Sequence, residues 1–89
     1  MEIQKIKNII NKTADQVEYE NEKFQRYTKR PKFNSIDGIT FDKFLEAEGI
    51  ENLFEALNWL KDNGYIQYTS ASYSSYVSLK KKAYDLVKR

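Results

Sequence analysis

The stretch FEALNWLKDNGYIQY, residues 54–68, decides how this chain folds, because the spacing of apolar residues changes within it. Counting back from Leu60, Leu57, Phe54, Leu53 and Ile50 recur every three or four residues. That spacing predicts one helix from Ile50 with these five side chains turned to a core. Asn63-Gly64 is a left-handed stop for such a helix. From Tyr65 onward the period drops to two. Tyr65-Ile66-Gln67-Tyr68-Thr69 and Tyr76-Val77-Ser78-Leu79 read as two strands, with Ser70–Ser75 as the loop between them.

Working outward from that hairpin, Lys80–Lys88 reads as a closing helix with Ala83, Tyr84, Leu86 and Val87 on its apolar side. Upstream, Thr40 is positioned to cap a short helix over Phe41–Glu48, where Asp42 in the first turn suits the helix dipole. Gly49 ends it, so two helices meet at a tight turn and form a helix-turn-helix. Residues Lys32–Ile39 are a connector with Asp37-Gly38 as its turn signal, and Ile36 and Ile39 can supply a short strand.

The first thirty residues read as helix on the spacing of Ile3, Ile6, Ile10, Val17, Phe24 and Tyr27. Thr13 and Glu20 interrupt that stripe, and Thr13 followed by Gln16 resembles a capping box. Two arrangements satisfy this: one long helix, which we favour, or two helices joined near Asn11–Thr13. Pro31 ends the segment by excluding its predecessor from helical geometry.

The resulting order is helix, connector, helix, turn, helix, hairpin, helix. It describes a winged helix-turn-helix, mainly α with a small β-hairpin. Residues 1–89 form one domain: N-terminal helix 1–30, helix-turn-helix 40–64, wing 65–79 and C-terminal helix 80–89. The pair FEALNWLKDNGYIQY and YVSLKKKAYDLV (residues 76–87) resembles the second half of winged-helix regulators of the MarR and PadR type. Those share an aliphatic helix, a Gly-aromatic-Ile exit, a wing, and a strand ending in Leu-Thr-x-Lys-Gly. Here Lys80 stands at that family's usual Thr and Ala83 at its usual Gly. The chain is also loosely similar to small phage and prophage proteins of the YjcQ type. The resemblance, over residues 40–88, implies a DNA-binding transcriptional regulator of phage or mobile-element origin.

With 89 residues there is room for one core, and 40% hydrophobic with 15% aromatic residues suffices to fill it. The chain has no cysteine and no histidine. Disulfides and thiolate metal sites are thereby excluded, and the commonest general base and zinc ligand are missing together. No phosphate loop or nucleophile motif is present, and carboxylates such as Asp42, Glu46 and Glu48 carry no mark of an acid–base pair. The expectation is a non-enzyme without cofactor or metal. A charged MEIQKIKN start and the lack of a long apolar run predict a cytoplasmic protein that does not enter membranes.

Charge is unevenly spread. Residues 1–34 hold eight basic and five acidic groups, residues 35–64 two and seven, residues 65–89 five and one. If the folded chain brings its ends together, Lys23, Arg26, Lys29 and Arg30 with Lys80, Lys81 and Lys82 form a patch for the phosphates of double-stranded DNA. Lys32, Lys88 and Arg89 extend that patch, and Asn52 is placed to read a base edge. Against that, the helix carrying Asn52 also carries Glu51, Glu55 and Asp62, which repel phosphate. A protein partner is the competing expectation, held by Trp59, placed off the apolar face, and by Tyr68, Tyr73 and Tyr76 of an uncharged wing. The stripe of the first helix offers a third possibility, a homodimer seam.

Overall fold

One unbroken helix, α1 (Ile3–Gln25), opens the structure, a computed structural model that describes residues 1–25 and 34–89. Its buried face is Ile6, Ile9, Ile10, Thr13, Ala14 and Val17. Thr13 belongs to that face because its hydroxyl donates to the Ile9 carbonyl one turn back at 2.7 Å. A threonine bonded in this way satisfies itself inside a helix. It is therefore no cap, and the two-helix arrangement falls. Ile6, Ile10 and Val17 are buried as expected, whereas Ile3 and Phe24 are exposed. Tyr27 and Pro31 lie outside the described residues. The middle of the stripe packs inside the domain, against α2, β1, β3 and α4.

After β1 (Ser35–Asp37) comes α2 (Gly38–Ala47). The Asp37 carboxylate accepts the Ile39 N–H at 2.7 Å and caps this helix. Asp37-Gly38 is thus a helix start and not a free turn, and Thr40, expected as the cap, lies inside the first turns. The correction follows from the better acceptor lying three residues earlier. It also divides the two isoleucines. Ile36 sits in the strand and is buried, while Ile39 rides on the first turn of α2 and is 68% exposed. Gly38 is fixed by space: a Cβ there would strike the Ser75 hydroxyl and lie 3.2 Å from the Ser75 Cβ.

Helix α2 stops at Gly49, whose φ is +76°. The Gly49 N–H donates to Glu46 O and the Ile50 N–H to Leu45 O. These two bonds close the last turn and release the chain in a new direction. Helix α3 (Leu53–Asp62) repeats the device at Gly64 (φ +80°), with bonds from Gly64 to Lys61 and from Tyr65 to Leu60.

Strands β2 (Ile66–Ala71) and β3 (Ser74–Leu79) follow. They pair without a break from Ile66↔Leu79 to Ala71↔Ser74. Only Ser72 and Tyr73 are left to turn the chain, so Ser70–Ser75, expected as a loop, is mostly ladder. Small uncharged side chains at 70, 71, 74 and 75 let the strands stay in register to the tip. Strand β1 adds to the other edge of β3, with Ile36 opposite Val77, giving an antiparallel sheet in the order β1-β3-β2. The protein is mainly helical, with this small sheet and a long N-terminal helix.

Helix α4 (Lys81–Leu86) closes the chain, burying Ala83. Arg89 then reaches back to α1, with Nη1 2.8 Å from Asp15 Oδ1 and Nη2 3.0 Å from Glu18 Oε1. Phe41, Leu45, Leu60, Ile66 and Val77 join Ile9, Ile10 and Ile36 as the most deeply buried side chains. Among the described residues no buried side-chain nitrogen or oxygen lacks a hydrogen-bond partner.

Candidate functional site

Helix α3 begins where Asn52 Oδ1 accepts the Glu55 N–H at 3.0 Å. It therefore starts at Leu53, three residues later than expected, and Ile50 lies in the preceding turn, half-buried against the core. Glu55 in the first turn and Lys61 in the last both suit the helix dipole. Ala56 and Leu60 are buried, and Leu53, Leu57 and Trp59 pack half-buried beside them. Phe54, expected in the core, is 75% exposed. The small Ala56 accounts for the error. Counting it as core turns the apolar face toward Trp59 and leaves Phe54 roughly 120° away, by the 100° step of a helix.

Trp59 is shared between inside and outside. Its ring stacks on Tyr65, with centroids 6.1 Å apart and planes 16° from parallel. Lys82 covers the same tyrosine, its Nζ 4.5 Å from the ring centroid, and donates to the Asn63 carbonyl at 2.6 Å. The outer edge of Trp59 borders two open hollows. One, of about 270 Å³, is lined by Met1, Ile50, Asn52, Glu55, Ala56 and Trp59. The other, of about 350 Å³, is lined by Phe54, Glu55, Asn58, Trp59 and Asp62. Glu55 and Trp59, one turn apart, form the ridge between them. Neither hollow is lined by a lysine or arginine.

No family model, curated protein or solved structure matches the chain.

The basic residues expected to form one patch fall partly outside the described residues. Lys23 is exposed near the end of α1, while Arg26, Lys29, Arg30 and Lys32 lie outside the described residues. Lys80 and Lys81 are exposed at the start of α4, Lys80 in the cap position without a side-chain capping bond. The Lys80 backbone N–H extends the hairpin by donating to Tyr65 O. Lys82, expected on phosphate, is held at the C-terminal end of α3 by Tyr65 and Asn63. Arg89 is held by two carboxylates, and the hydrogen bonds to Asp15 and then Glu18 raise its pKa above the ordinary arginine value. Asn52, expected at a base edge, spends its side-chain oxygen on the α3 cap.

The hairpin tyrosines do not form one surface. Tyr68 stands opposite Val77 and so shares the core-facing side of the sheet, whereas Tyr76 stands opposite Thr69 and Asp37 on the other side. Tyr73 projects fully into solvent from the turn. A hollow of about 320 Å³ lies between the hairpin and the start of α2, bordered by Tyr68, Tyr73, Ile39 and Asp37.

The carboxylates in and just after α2 have separate uses. Glu48 accepts Asn8 Nδ2 at 2.7 Å and lies 3.9 Å from Lys12, tying α2 to α1. Asp42 has its pKa raised, first by burial, then by the negative charges of Glu46 and Asp37. Its native state therefore holds a proton more tightly than the unfolded chain does. Asp42 accordingly costs stability at neutral pH, and the cost vanishes as pH falls through the raised pKa. Asp42→Asn should shift the urea midpoint upward at pH 7, with the gain shrinking toward zero near pH 3. A gain independent of pH would contradict this. Among the described residues, no three acidic groups gather in a way that could hold a metal ion.

Proposed function

We propose that this chain is a small non-enzymatic winged-helix module that docks a protein partner on the outward face of α3. The order of helices with a three-stranded sheet and a tight hairpin is compatible with a helix-turn-helix and wing. One observation carries the choice of partner. The outward face of α3 presents an exposed Phe54 in one hollow with the carboxylates of Glu55 and Asp62, with Asn52 committed to the cap. Phosphate is repelled by such a surface, because affinity for nucleic acid rests on Lys and Arg. An exposed large aromatic beside half-buried Trp59 has the composition of an interface anchor.

The second reading is the DNA-binding regulator, of phage or mobile-element origin, favoured by exposed Lys80 and Lys81 at the end of the hairpin. A titration of labelled duplex near 50 mM salt, read by anisotropy and Trp59 emission, separates the two. The module reading expects no binding. Binding that weakens steeply with salt, and is lost in a Lys80→Glu, Lys81→Glu variant, would replace it with the regulator reading. A homodimer remains a matter for mass measurement, since the middle of the α1 stripe is already covered within one chain.

A further inference from the structure

The two hollows on α3 define the partner more narrowly, an inference that rests on the module reading above. They lie along the helix on either side of the Glu55–Trp59 ridge, so the surface is a ridge between two troughs. Rows of this kind, running four residues apart along a helix, are what another helix packs against. The first trough is walled by Met1, Ile50, Ala56 and Trp59, the second by Phe54 and Trp59. Both accept apolar side chains. The charged side chains that line them are both negative: Glu55 borders both troughs and Asp62 closes the far end, with exposed Glu51 before the helix; the positive groups nearby are the Met1 ammonium at the first trough and exposed Lys61 next to Asp62. Glu55 and Asp62 are seven residues apart, about 10.5 Å along the axis at the rise of an α-helix. Asp62 and Glu55 have no salt bridge within the described chain.

We propose that the occupant is a cationic amphipathic helix, with Lys or Arg about two turns apart to meet Glu55 and Asp62 and with apolar anchors that fill the troughs. Burying an apolar stripe in such a groove supplies affinity, and complementary charge at the rim selects the partner and sets its orientation. An acidic helix of the same apolar pattern meets like charge at both ends and is rejected.

The test uses the whole chain and two synthetic helical peptides of identical apolar pattern, one carrying Lys and the other Glu at the flanking positions. The lysine peptide should bind, shifting Trp59 emission to shorter wavelength as the indole is covered, and the glutamate peptide should bind at least about tenfold more weakly. A Glu55→Lys, Asp62→Lys variant, both positions exposed, should invert that preference while its circular dichroism stays unchanged. Phe54→Ser should weaken the lysine peptide with the charges intact.

Four results would overturn the proposal. One is equal affinity for both peptides, and another is a charge-swapped variant that keeps the wild-type preference. The third is lysine-peptide binding untouched by Phe54→Ser, which would mean charge attraction without docking. If neither peptide binds, yet Phe54→Ser abolishes association with a partner purified by other means, the module reading stands and the cationic helix falls.

Discussion

Phe41→Ala is expected to lower stability by about 3–5 kcal/mol, the range for truncating a fully buried aromatic. Phe41 has no solvent exposure and heads the deeply buried side chains. It sits on α2, the helix that packs against α1, α3, β1 and β3 together. A cavity there lies under several elements, which cannot all collapse on it. For a domain of this size, total stability is on the order of 4–13 kcal/mol. The variant should therefore melt roughly 12–40 °C lower, or be largely unfolded at room temperature. Thermal melts followed by far-ultraviolet circular dichroism measure this. A drop under about 5 °C would mean that α2 is not the hub of the core.

Gly64→Ala should cost about 1–2 kcal/mol, the penalty for placing a Cβ in left-handed geometry. Nothing crowds that position, since the nearest atom to an added Cβ is Lys82 Cδ at 3.8 Å. The loss would therefore be conformational and not steric. Lys88 supplies the opposite experiment. It adopts φ +60° at the end of α4, in the place that Gly64 takes after α3, with Lys88 N–H bonded to Asp85 O and Arg89 N–H to Tyr84 O. Lys88→Gly should thus gain up to about 1 kcal/mol. Urea midpoints of both variants test one argument with two signs. Two changes of the same sign would show that the turns are held by something other than backbone geometry.

Much of this architecture is legible in the sequence because its signals are local. The Gly49 and Gly64 stops, the hairpin after Gly64 and the Ala83 side of α4 each follow from a few neighbouring residues. The misreadings have a common cause as well. Thr13, Ala56 and Asp37 are small or polar residues, and each decides an element by a contact that hydropathy does not register. Thr13 completes a buried face by bonding to its own helix. Ala56 turns α3 and so expels Phe54. Asp37 both ends a strand and starts a helix.

The candidate site was less legible than the fold. Trp59 stands out by its type and place on the wheel, but Phe54 and Met1 do not, because both carry the hydropathy of core residues. Lys82 and Arg89 show the converse. As sequence they are two more positive charges, and only the folded chain shows their partners, nineteen residues away for Lys82 and more than seventy for Arg89.

The sheet has a consequence for the order of folding. Strand β1 precedes α2 and α3 in the chain, yet among the described residues its ladder is with β3, Ser35 meeting Ser78. The hairpin closes over a two-residue turn, whereas β1 must wait for a loop of some forty residues to close. Closing a long loop carries an entropy cost that is recovered only once distant surfaces meet. The carboxyl-terminal half can therefore gather first around Leu60, Ile66 and Val77. Loop-closure entropy then favours the docking of β1 and α1 onto that nucleus afterwards, with α1 covering the last open side of the core.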